Sequence, residues 1–106
     1  MGNKSIIFEL SDGLELYNNE FHTVNDIEYE FIREKEGKII DNGDSPNQYS
    51  FRYTVELIWY IKDKNETYYK CELSEYGDHK NDLTLEPNGS LVFTETKKVT
   101  KQKRDW

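Results

Sequence analysis

Cysteine is almost missing from this chain: Cys71 stands alone among 106 residues, so no internal disulfide can form. An unpaired thiol fits a reducing compartment, and cytoplasmic residence is the expectation. No apolar run approaches the roughly 20 residues that span a bilayer, and no signal peptide precedes the first expected strand. The Asn-x-Ser/Thr triplets at Asn3, Asn65 and Asn88 therefore carry no meaning as glycan sites. Apolar residues are also scarce, at 35%. Fifteen aromatics, eight of them Tyr, offset that shortage because each ring buries a large area. One domain of modest stability is the natural outcome at this length.

The motifs of common chemistries are missing too. There is no glycine-rich phosphate loop and no nucleophile elbow, and the serines sit in turns and strand ends. His22 and His79, with Asp26, Asp41, Asp44, Asp78 and Asp82, fall in expected long loops, but their spacing matches no metal-ligand motif. Asp41-Asn42-Gly43-Asp44-Ser45 lacks the ligand pattern of a calcium loop. We assign no catalytic residue, no metal and no cofactor. Cys71 has no His nearby in sequence and reads as a buried, inert thiol.

Negative charge is what the chain has in excess. Residues 1–96 carry 20 acids and 9 bases, a net of −11, whereas 97–106 carry five bases and one acid. An acidic body disfavours direct nucleic-acid binding, since phosphate contacts need clustered cations. It favours a basic protein surface as partner. The Lys97–Trp106 tail has too few apolar residues for a strand and is expected to be mobile.

Four stretches share one pattern, a β-type run, three turn residues ending in Gly or Asn, then a second β-type run. They are Ser11-Asp12-Gly13, Lys35-Glu36-Gly37, Asp63-Lys64-Asn65 and Pro87-Asn88-Gly89. Three-residue hairpin loops place a left-handed residue last, where Gly or Asn fits best. The pattern predicts an all-β fold of about eight short antiparallel strands in four hairpins, an up-and-down barrel or sandwich spanning residues 1–96.

The first hairpin would join Lys4–Leu10 to Leu14–Phe21. The second, Ile27–Glu34 with Lys38–Asp41, competes with a helix near 24–36, because Val24, Ile27, Phe31 and Ile32 also fall at helical spacing. That alternative makes the fold α+β. In the third, Phe51–Ile61 alternates so that Val55, Leu57 and Trp59 share a face, paired with Leu73, Cys71 and Tyr69. This register sets Glu56 against Glu72, a like-charge pair that signals either a shift of two residues or a nearby cation. The fourth, Leu83–Glu86 with Ser90–Thr96, puts Leu83, Leu85, Leu91 and Phe93 on one face.

On the opposite face of the third hairpin, Ile58, Tyr60 and Tyr68 cluster inside a rim of Glu56, Glu72 and Lys70. Aromatic anchors with a charged rim resemble a protein interface. The other reading is that this face packs on another element of the chain. Glu56, Ile58, Tyr60, Tyr68 and Glu72, with Glu28 and Glu30, form the candidate partner-binding set. The leading expectation is a small acidic, non-enzymatic binding protein that blocks a basic, possibly nucleic-acid-binding, surface of its partner. Inhibitor and immunity proteins of phages and mobile elements, anti-CRISPR proteins among them, share that general profile. The alternative is a β-barrel carrier holding a small molecule among Phe8, Trp59, Tyr69 and Phe93.

Overall fold

Alternation of buried and less buried side chains from Val55 to Ile61 builds the middle of the molecule. In the computed structural model, which describes residues 4–41, 43, 52–79, 83–85 and 90–102, the two longest regular partners are β3 (Ile27–Asp41) and β4 (Tyr53–Asp63). Around them lie β1 (Ser5–Glu9), α1 (Leu10–Asn19), β2 (Phe21–Val24), β5 (Tyr68–Gly77), β6 (Thr84–Leu85) and β7 (Ser90–Thr96). The antiparallel order β1-β7-β5-β4-β3-β2 curls into a nearly closed barrel, with β6 added to the end of β5. α1, the one helix among the described residues, connects the two end strands. The fold is mostly β, as the turn pattern predicts.

The core fills the barrel from every strand of the main path except β2. Phe8, Phe31, Ile61 and Phe93 are fully buried, with Trp59, Val55, Leu57, Tyr29 and Tyr69 nearly so. Phe8 meets Phe93 and Tyr29 at 5.1 Å between ring centres, and Tyr17 stacks on Trp59 at 4.9 Å. The indole Nε1 donates to Glu34 Oε2 at 2.7 Å, so the one polar atom of that ring is satisfied. Phe8, Trp59, Tyr69 and Phe93 all belong to this one buried cluster.

Three elements differ from the hairpin expectation. Ser11-Asp12-Gly13 is not a loop but lies inside α1, and the chain does not continue as a strand to Phe21. Leu10, Gly13, Leu16 and Tyr17 recur at helical spacing and turn inward, while Leu14 is exposed. A Cβ on Gly13 would collide with Leu91, so glycine here permits close packing rather than a left-handed turn. Asp12 adds a favourable charge to the first turn.

Residues 24–36 are not the helix. They finish β2 and run into β3, joined through Asn25 and Asp26 at φ 53° and 66°, the two left-handed residues of a tight hairpin. Lys35-Glu36-Gly37 is not a loop either. β3 passes straight through it, absorbing extra residues as bulges at Ile32 and at Gly37-Lys38.

The β4–β5 hairpin forms with the expected faces but a register shifted by two residues. Leu57 faces Leu73, Trp59 faces Cys71, and Glu56 faces Ser74 instead of Glu72. Asp63 decides the matter: its Oδ1 accepts the N–H groups of Asn65 and Thr67, both at 2.9 Å. The three-residue loop is therefore Lys64-Asn65-Glu66, with Glu66 taking the left-handed place at φ 60°. A shift of two keeps every side chain on its face and removes the like-charge pair. The fourth expected loop, Pro87-Asn88-Gly89, lies outside the described residues. Its flanking strands β6 and β7 both lie along β5, and β7 also pairs with β1.

Candidate functional site: an acidic edge, an acidic inner face and a split sheet

The register sorts the candidate partner-binding residues into rows across the outer face. One row reads Glu30–Lys62–Tyr68, the next Arg33–Tyr60–Lys70, the next Lys35–Ile58–Glu72. Glu56 follows beside Ser74, and Glu28 lies at the far end near the β2–β3 turn. Glu56, Ile58 and Glu72 are thus brought together. Tyr60 sits between two cations, half-buried, and Tyr68 is buried. Anions and cations alternate here, so the outer face is not one continuous negative field.

Glu30 is already engaged. Lys101 Nζ lies 2.7 Å from its Oε2, and Lys62 Nζ lies 3.6 Å from its Oε1. Lys101 also approaches Glu20 at 3.6 Å. The next residue completes the contact: Gln102 N–H donates to the Ile32 carbonyl at 2.7 Å, and its side-chain oxygen accepts the Glu34 N–H at 3.2 Å. Residues 97–102 therefore run from the end of β7, beside Tyr68, to the edge of β3 that β2 leaves open. The hydrogen bond to Glu30 holds the Lys101 ammonium above its ordinary range. Composition alone read this segment as a free tail; its Lys101 and Gln102 are held against β3.

The bulge at Ile32 has a second effect. It reverses the alternation of β3, so that Glu34 and Glu36 fall on the inner side with Trp59 and Leu57. Glu75 joins them from β5, opposite Val55. Burial, then the charges of Glu34 and Glu36, push the Glu75 carboxyl above its usual range. Among the described residues, no cation is ion-paired with any of the three. Sequence reasoning missed this cluster, because only the bulge puts even-numbered residues inward.

The third feature is a break in the sheet. β7 pairs with β5 only over Tyr68–Lys70, and β6 takes up β5 again at Glu75. Continuing the first register would set Glu72 against Val92, but no ladder forms there among the described residues. The Cys71 thiol fills the place instead. It accepts the Val92 N–H and lies 3.9 Å from the Glu72 carbonyl, substituting for a direct backbone bond. Burial pushes this thiol up to about 11. A cavity of about 590 Å³ opens along the break.

The two histidines do not converge. His22 is on β2 and pairs with Asp12 at 3.0 Å, while His79 follows the far end of β5. Tyr29, the partner of His22, is level with Asp63, and Gly77 is level with Tyr53. That separates them by about ten strand residues, roughly 33 Å. Asp44 and Asp82 lie outside the described residues. Among the described residues, no three His, Cys, Asp or Glu side chains converge to hold a metal. No described helix is long and apolar enough to cross a membrane.

No family model matches this chain, and neither a curated protein nor a solved structure resembles it at a significant level.

Proposed function

We propose that this protein is a non-enzymatic binding module of the inhibitor or immunity type that covers a basic segment of a partner protein. The observation that carries the reading is the seat of Lys101. An extended, lysine-bearing stretch lies along the edge of β3, its ammonium between Glu20 and Glu30 and its backbone bonded to Ile32. The acidic body thus holds one basic peptide in cis, by chemistry that any basic segment could use in trans. Glu28, Glu56 and Glu72 are exposed and, among the described residues, in no ion pair. Ile58 and Tyr60 lie between them as half-buried anchors. Small size and net negative charge fit the class of inhibitors found on phages and mobile elements, and a cytoplasmic partner fits the single thiol.

The test is affinity capture from the native organism at low and high salt, with a Glu28→Lys/Glu56→Lys/Glu72→Lys variant alongside. The expected result is a basic partner that the variant loses and that dissociates as salt rises. A partner retained equally by both proteins, or indifferent to salt, overturns the reading.

A further inference from the structure

We propose that the split between β5 and β7 is a binding site for a small amphiphilic cation, an apolar body carrying one ammonium group. The cavity of about 590 Å³ lies within the range of small-molecule sites. Its apolar lining includes Leu10, Leu73 and Leu91, with Cys71 beside them. These side chains are buried or half-buried members of the hydrophobic cluster or packed against it, and they also border the open volume.

Ile58 and Val92 continue the apolar surface toward solvent, and Val92 pairs with Ile7, which is 65% exposed. An apolar body therefore finds a lined channel with an apolar entrance. The cavity lies apart from the strand edge that holds Lys101 but shares Glu56, Ile58 and Glu72 with the proposed partner surface. The titration with small probes needs no partner protein, so either proposal can fail alone.

The charge of the ligand follows from the rim. Glu56 and Glu72 share the outer face as diagonal neighbours across β4 and β5, close enough for long side chains to reach one group. Lys35, also on the rim, can answer one of these carboxylates. The other is left over, and no ion pair occupies either acid among the described residues. A monocation balances that rim, whereas an anion meets two carboxylates.

The experiment is an amide-shift NMR titration of the full chain with 2-phenylethylammonium. Neutral 2-phenylethanol, anionic 3-phenylpropionate and methylammonium serve as comparison probes. The expected result is a shift of the Glu72, Ser90 and Val92 amides, with the amphiphilic cation binding at least tenfold more tightly than the other three. Bound ligand should also slow alkylation of Cys71. In Glu56→Gln/Glu72→Gln the preference for the cation should shrink to within about twofold. Ser90→Trp, at an exposed rim position, should abolish binding. Equal affinity for cation and alcohol, shifts confined to Glu34, Glu36 and Glu75, or no shift at millimolar probe each overturn the proposal. Should Ser90→Trp fail to fold, the glutamine pair and the alkylation rates still decide it.

Discussion

β3, β4 and β5 run through two very different environments. At one end their inward residues are Tyr29, Phe31, Ile61 and Tyr69, locked with Phe8 and Phe93 into edge-to-face and tilted ring contacts. There β5 and β7 are paired, and Lys101 and Gln102 fasten the edge of β3. At the other end the inward positions hold Glu34, Glu36 and Glu75, and the β5–β7 ladder is broken. The change comes at the single extra residue Ile32. Unbroken alternation would turn Arg33 and Lys35 inward after Phe31; the bulge turns Glu34 and Glu36 inward instead, so β3 passes from a hydrophobic half to an acidic one. Ring packing is concentrated in the first half and the open cavity lies in the second.

Large-to-small substitutions test that division most directly. Phe93→Ala or Phe31→Ala should cost about 3–5 kcal/mol, as expected for a fully buried ring. Ile39→Ala, in the acidic half and 36% exposed, should cost well under that, about 1 kcal/mol. Urea unfolding measures both. Similar losses at the two ends would contradict the contrast.

The next effect concerns how α1 closes the barrel. Gly13→Val should destabilise by about 1–3 kcal/mol, because the added methyls force the Leu91 side chain out of its place. Pairing it with Leu91→Ala should recover part of the loss, making the double variant less damaged than the sum of the two. Strict additivity would show that Gly13 and Leu91 do not bear on each other.

Gly13 also shows why part of the fold was illegible. Gly after Ser-Asp carries the local signature of a turn, and only the far partner, Leu91, reveals that the missing side chain is what matters. The reverse holds for β4 and β5: alternation from Val55 to Ile61 fixed the inward face without any long-range information. Even the register left a trace, since Glu56 against Glu72 was a reason to doubt the first pairing. The bulges at Ile32 and Gly37 left none. They are settled by the fit of β3 to β4, and with them went the inward turn of Glu34 and Glu36. Of the candidate partner-binding residues, Glu56, Ile58 and Glu72 gather as the alternation implied. The role of Lys101 depended on an open edge that no local pattern announces.

The smallest expected effect isolates the acidic half. A carboxyl whose folded-state affinity for protons is raised makes the native state hold a proton that the unfolded chain has already released. Stability then falls as pH climbs from the ordinary Glu range, near 4.3, through the raised value of Glu75, and stays lowered above it. Glu75→Gln removes that loss. The variant should match the parent below this window and exceed it at neutral pH by roughly a few tenths of a kcal/mol, chiefly because no charged carboxyl is buried and secondarily because Glu34 and Glu36 no longer face a like charge. High salt should shrink the gain, because Glu75 is only half-buried. A gain that persists at pH 3, or survives 1 M salt unchanged, would assign it to packing and detach Glu75 from Glu34 and Glu36.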